Sequence, residues 1–114
     1  MPHAGWFFSG LLAWRVLRRL RPAQVVVVLG GHLAPEDGLR APPESSFETP
    51  FGHLQRDEEL FHFLSERFKP LSDRDPDNTV EIQLPLVHRL FPACRVVCLR
   101  VPPSGLAGEL GQAL

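Results

Sequence analysis

Thiols are scarce in this sequence, and so is net charge; each scarcity removes a class of protein. The two cysteines, Cys94 and Cys98, are four positions apart in a run that reads as a strand. There they share a face but lie too far apart to bridge. With no other thiol, a disulfide framework is excluded, which fits a reducing compartment. Twelve Lys and Arg against 13 Asp and Glu leave a formal net charge of −1, so nothing global favours a nucleic acid or an anionic membrane as partner. The apolar stretch from Gly5 to Trp14 is too short to span a bilayer. Its basic residues (Arg15, Arg18, Arg19, Arg21) follow it, the reverse of a secretory signal. A cytoplasmic location with no membrane contact is expected. There is no glycine-rich phosphate loop, no GxSxG elbow and no paired-cysteine metal knuckle.

What is present reads as an α/β protein. The chain of 114 residues is 44% hydrophobic and 22% charged, enough for a modest core in at most one domain. Ser9 is placed to cap a helix to about Leu20, with Leu12, Ala13, Val16, Leu17 and Leu20 on one face and Arg15, Arg18 and Arg19 on the other. Those arginines read as a solvated face near a helix C-terminus, with an anion site as the sharper alternative. Pro22 ends this helix. "QVVVVLGG" (Gln24 to Gly31) has the unbroken apolar run of a strand buried on both faces, as in a parallel sheet. A long polar loop follows to Ser46.

Asp57 is expected to cap a helix to about Phe68 that buries Leu60, Phe61, Leu64 and Phe68. The acidic turn "SDRDPDNT" leads to Thr79 as the next cap, and "VEIQLPLVHRLF" reads as a helix kinked near Pro85. "CRVVCLRV" (Cys94 to Val101) is a second buried strand, and Leu106 to Leu114 a last helix. This order predicts an α/β fold with a mainly parallel sheet flanked by helices.

Sites in open α/β sheets form beyond the carboxyl ends of strands, and His32 directly follows "VVVVLGG". The glycines allow the sharp turn that brings its imidazole over the strand end. His3 has the same grammar: His beside Pro, then Gly, then a capped helix. Two imidazoles from neighbouring strand ends would be half of a metal site. His62 shares a solvated helical stripe with Glu58 and Glu66, His88 beside Arg89 reads as exposed, and His53 has no ligand-like neighbour.

Four stretches, "PHAGWFFSG", "VVLGGH", "ETPFGHLQRDEEL" and "DNTVEIQLPLVHRLFP", resemble in order and spacing the Memo family, also called AmmeMemoRadiSam system protein B. The likeness runs from about Pro2 to Val101. It implies a fold like that of the class III extradiol dioxygenases, which use non-haem iron. It implies that His3 and His32 are metal ligands, with iron or copper as the metal and redox chemistry as the activity. The family's third ligand is a cysteine that neither Cys94 nor Cys98 matches. The same resemblance implies that residues 1–114 are the N-terminal part of a single Memo-like domain, a fragment lacking the first strand and the C-terminal half. Where many members carry a histidine this chain has Asn78, which cannot serve as a general base near neutral pH. Glu81 matches the family's glutamate, and Asn78 and Glu81 become candidates for the pocket wall. For Glu81 the alternative is an acidic residue in a helix's first turn. The rival function is a non-catalytic interaction module that receives a peptide or protein ligand in the same pocket.

Overall fold

The structure, a computed structural model, describes residues 9–21 and 23–114. His3, and the Pro22 expected to end the first helix, lie outside the described residues. In chain order the elements are α1 (Leu11–Leu17), β1 (Val25–Gly30), β2 (Arg40–Ala41), β3 (Ser46–Thr49), β4 (Gly52–Arg56), α2 (Glu58–Phe68), β5 (Leu71–Ser72), α3 (Leu84–Leu90), β6 (Arg95–Arg100) and α4 (Gly105–Ala113).

The two apolar runs pair with each other. β1 lies parallel to β6, from Val25 opposite Arg95 to Gly30 opposite Arg100. The other edge of β6 is shared between two short strands: β4 runs parallel beside its start, and β2 meets it antiparallel at Arg40 and Arg100. A β3–β4 hairpin adds a further antiparallel pairing, and β5 lies parallel to β2. The sheet is therefore mixed, because the segment from Gly31 to Ser46 is no plain loop: it supplies β2, which enters against the direction of β6. Short strands of this kind carry too few residues to show periodicity.

Alternation along β6 builds a core on each face, since successive strand side chains point to opposite sides. Val96 and Cys98 join Val28, Leu54, Leu84, Val87 and Phe91 on the face covered by α3. Val97 and Leu99 join Leu39, Ala41, Leu64 and Leu110 on the face covered by α2 and α4. Val96 and Val97 are both 0% exposed, as a strand buried on two faces requires. β1 departs from that expectation: Val28 is buried, but Leu29 is 45% exposed. Among the described residues β1 pairs only with β6, which leaves its outer edge and part of one face uncovered.

Two helices differ from their expected form, and a third keeps close to it. α1 is shorter than predicted, takes Gly10 and not Ser9 as its N-cap residue, and buries only Ala13 and Leu17. Leu12, Val16 and Leu20 are exposed, as are Arg15, Arg18 and Arg19. Pro85 does not kink a helix but lies in the first turn of α3, where a missing N–H costs nothing. Residues 79–83 precede that helix as turns, so Glu81 is not in its first turn and Thr79 does not cap it. α4 starts at Gly105 behind a cap by Ser104, close to its expected place.

α2 follows its capping signal. The Asp57 side chain accepts a hydrogen bond from the Leu60 amide at 2.8 Å, and the helix closes at Lys69, whose left-handed backbone (φ 48°) precedes Pro70. Asp57 is itself buried, and Arg95 donates to its second oxygen at 2.9 Å. The Leu60 amide, followed by Arg95, holds its carboxyl below the ordinary carboxylate range. Replacing Asp57 by Ala removes the acceptor from a buried helix start and should cost about 1–2 kcal/mol. Asp57→Asn, which keeps an acceptor, should cost less. Urea unfolding of both variants checks this; an Ala variant as stable as the parent would contradict it.

Candidate functional site at the carboxyl ends of β1 and β6

Parallel pairing brings the ends of β1 and β6 together, and the chain turns away from both at that edge. His32 takes up a left-handed backbone (φ 60°) just beyond Gly30 and Gly31. This conformation is uncommon for a residue with a Cβ and costs on the order of 1 kcal/mol or more. The strain falls on the histidine, not on the glycines before it. Gly30 is needed for a different reason: a Cβ there would collide with the Thr79 side chain and stand 2.8 Å from Val80 Cγ2.

The His32 ring meets the acidic turn. Its Nδ1 lies 2.8 Å from Asp77 Oδ2, with the imidazole side chain 55% exposed and the carboxylate 10% exposed. The other oxygen of Asp77 accepts from the Thr79 hydroxyl and, at 2.8 Å, from the Thr79 amide. The Thr79 oxygen also accepts from the Gly31 amide at 3.1 Å, so one threonine ties the acidic turn to the end of β1. Gln83 adds a second tie, donating to the carbonyls of Leu29 and Thr79.

Arg100 closes the arrangement from β6. Its side chain is 6% exposed, and its guanidinium donates to the carbonyls of Gly31 (3.0 Å) and His32 (3.1 Å). The same group donates to both oxygens of Asp73 and to Asp75 Oδ2, and its Nε lies 3.6 Å from Asp77 Oδ1. Arg40 reaches Asp75 from β2 at 3.1 Å. Burial alone would raise the pKa of Asp77. Hydrogen bonds from Thr79 and His32, with the charge of Arg100, outweigh it and bring the carboxyl down to about 2.

Two cavities flank the His32–Asp77 contact. One, of about 680 Å³, is lined by Asp77, Glu81 and Arg100 together with Phe47, Val80 and Leu84. The other, of about 430 Å³, takes in His32 beside Leu29, Val101 and Leu110. Glu81 thus lines the cavity wall. Asn78 is exposed between Asp77 and Thr79, its carbonyl accepting from the Ile82 amide.

Among the described residues, the remaining histidines and cysteines lie apart from this site. His53 is exposed on β4, and exposed His62 pairs with Glu66 on α2. His88 is not exposed as expected but buried, with Nδ1 2.9 Å from the Thr49 hydroxyl. α3 turns that side chain onto the β3–β4 hairpin, where Gly52 (φ 129°) leaves room that a Cβ would close, 2.9 Å from His88 Cε1. Burial raises the pKa of both thiols, Cys98 to about 12, so neither offers a thiolate at neutral pH. Among the described residues no three His, Cys, Asp or Glu side chains cluster as a metal cage.

Asp77 and Arg100 escaped the sequence reading, and Thr79 entered it only as a helix cap, because each sits in a segment with a plainer meaning, a turn or the end of a strand. The Asp77 carboxyl, depressed to about 2 from an unfolded value of about 3.9, contributes stability present above pH 4 and lost as pH falls towards 2. On the order of 2 kcal/mol is at stake. Between pH 5 and pH 2 the parent chain should lose that much more stability than Asp77→Asn, measured by urea unfolding. Equal losses would contradict the assignment.

A profile of the Memo family, described as Memo-like protein, matches residues 1–114. The chain is 28% identical over 125 residues to a MEMO1 family protein of Caldivirga maquilingensis, covering 100% of this chain and 44% of that protein. It is 27% identical to one of Methanococcoides burtonii, covering 97% and 44%, and 32% identical to one of Pyrococcus furiosus, covering 78% and 33%. The chain thus spans less than half the length of these curated relatives. A match along the whole chain, with the "VVLGGH" and "DNTVE" stretches joined in one site, places this chain in the Memo family.

Proposed function

We propose that this chain supplies part of a metal site, with His32 as a ligand and His3 as the second, for iron or copper. The observation that carries the reading is the placement of His32 at the carboxyl end of β1, 2.8 Å from a carboxylate held by Thr79 and Arg100. Neutral imidazole suits iron, copper and zinc, and a histidine ligand ordinarily leans on a carboxylate behind it. His32 therefore fits as one donor. The buried Cys94 and Cys98 do not fit as the cysteine ligand that the family resemblance implies, so the described residues do not complete the set.

A metal held there would supply one-electron or oxygen-directed chemistry, in keeping with the dioxygenase-like fold that the resemblance suggests. The chain's own residues do the rest. Arg100 fixes the backbone of the His32 turn through the Gly31 and His32 carbonyls. Asp73 and Asp75 neutralise that buried guanidinium, and Glu81 gives the larger cavity an acidic wall. The cavity's mix of Phe47, Leu84 and Pro85 with the carboxylates of Glu44, Glu48 and Glu81 supports a second reading. In it, the site receives a peptide segment carrying apolar and basic side chains, without catalysis.

Metal uptake separates the two. Equilibrium dialysis against Fe(II) or Cu(II), read by elemental analysis, should show weak binding that vanishes in His32→Ala and in His3→Ala and persists in His53→Ala. Uptake indifferent to His32 would end the metal reading in favour of the peptide one.

A further inference from the structure

We infer that Asp77 is the positioning residue for His32: its carboxylate fixes the ring as the tautomer with hydrogen on Nδ1, so that Nε2 carries the lone pair. That Nε2 then serves as the metal-binding atom rests on the function proposed above; the tautomer does not.

The argument begins with the two atoms in contact. A carboxylate can only accept, so the ring nitrogen 2.8 Å from Asp77 Oδ2 must donate. Imidazole carries one ring hydrogen when neutral, and its presence on Nδ1 leaves Nε2 as an acceptor. The carboxylate has little freedom to turn away. Its Oδ1 is taken by the hydroxyl and amide of Thr79, and the Arg100 Nε stands 3.6 Å from the same oxygen. This division leaves Oδ2 directed at the ring.

The histidine is held from its own side by the same two residues. Thr79 also accepts from the Gly31 amide, and Arg100 also donates to the His32 carbonyl. Thr79 and Arg100 thus grip both halves of the His32–Asp77 pair. The exposed ring's own contact adds little to the stability of these braces. The imidazole is more than half exposed, exposed ion pairs contribute little, and the left-handed backbone at His32 is a strain. What the bracing does achieve is a single ring orientation, which a ligand-bearing histidine needs.

The tautomer is measured directly by long-range ¹H–¹⁵N correlation on the metal-free, ¹⁵N-labelled chain above the histidine titration range, with His32→Ala assigning the signals. The parent should show the Nδ1–H pattern, and Asp77→Ala should shift His32 towards the Nε2–H form. An Nε2–H pattern in the parent overturns the inference without need of any variant, as does an unchanged tautomer in folded Asp77→Ala. A calorimetric Zn²⁺ titration separates this from the metal reading. Loss of Asp77 should weaken Zn²⁺ binding about 10- to 100-fold. Binding that needs His32 but is undiminished in Asp77→Ala removes the role given to Asp77 and spares the metal site. An Nδ1–H tautomer in a chain that takes up no Zn²⁺ at His32 does the reverse.

Discussion

The buried guanidinium of Arg100 is the constraint on which this end of the molecule depends. It arrives at the last position of β6, in register with Gly30, with 6% of its side chain exposed. A charge taken out of water must be paired and hydrogen-bonded, or the fold loses several kcal/mol. Asp73 and Asp75 supply the charge, and the carbonyls of Gly31 and His32 take up the remaining donors. Satisfying one cation therefore draws the acidic turn and the strained histidine turn to the same place. The planar fork of arginine suits this role in a way that the single ammonium of a lysine would not.

Packing explains why these ends can meet at all. β6 is apolar on both faces because α3 covers one and α2 with α4 the other. A strand buried in this way is rigid, and its parallel neighbour β1 is held in register along its length. The turns beyond both strands inherit that rigidity. The close approach of Thr79 to Gly30, which leaves no space for a side chain, is the local consequence.

His32 was legible in the sequence because a glycine pair after an unbroken apolar run marks a strand's carboxyl end. The helix behind Asp57 was legible for a similar reason, with a cap, an amphipathic face and a terminating proline in order. Other features depend on contacts between residues distant in the chain, which local patterns do not encode. Arg100 reads as the polar end of a strand until 69 positions of separation from Gly31 are closed by the fold. Asp77 reads as one acid in a turn. His88 reads as exposed beside Arg89, yet its helix starts at Leu84 and turns the ring onto Thr49. β2 and β5, two residues each, are strands only because neighbours complete them.

Family membership accounts for the likeness of the whole chain, while the site's chemistry rests on a few side chains at one edge of the sheet. Anomalous X-ray scattering from crystals of the chain soaked with Fe(II) or Zn²⁺ tests that chemistry most directly. The account predicts a metal peak beside His32 Nε2, with Asp77 still at Nδ1 and Arg100 still on the His32 carbonyl. A peak on Asp77 itself, or on His53 or His62 with none at His32, would contradict it.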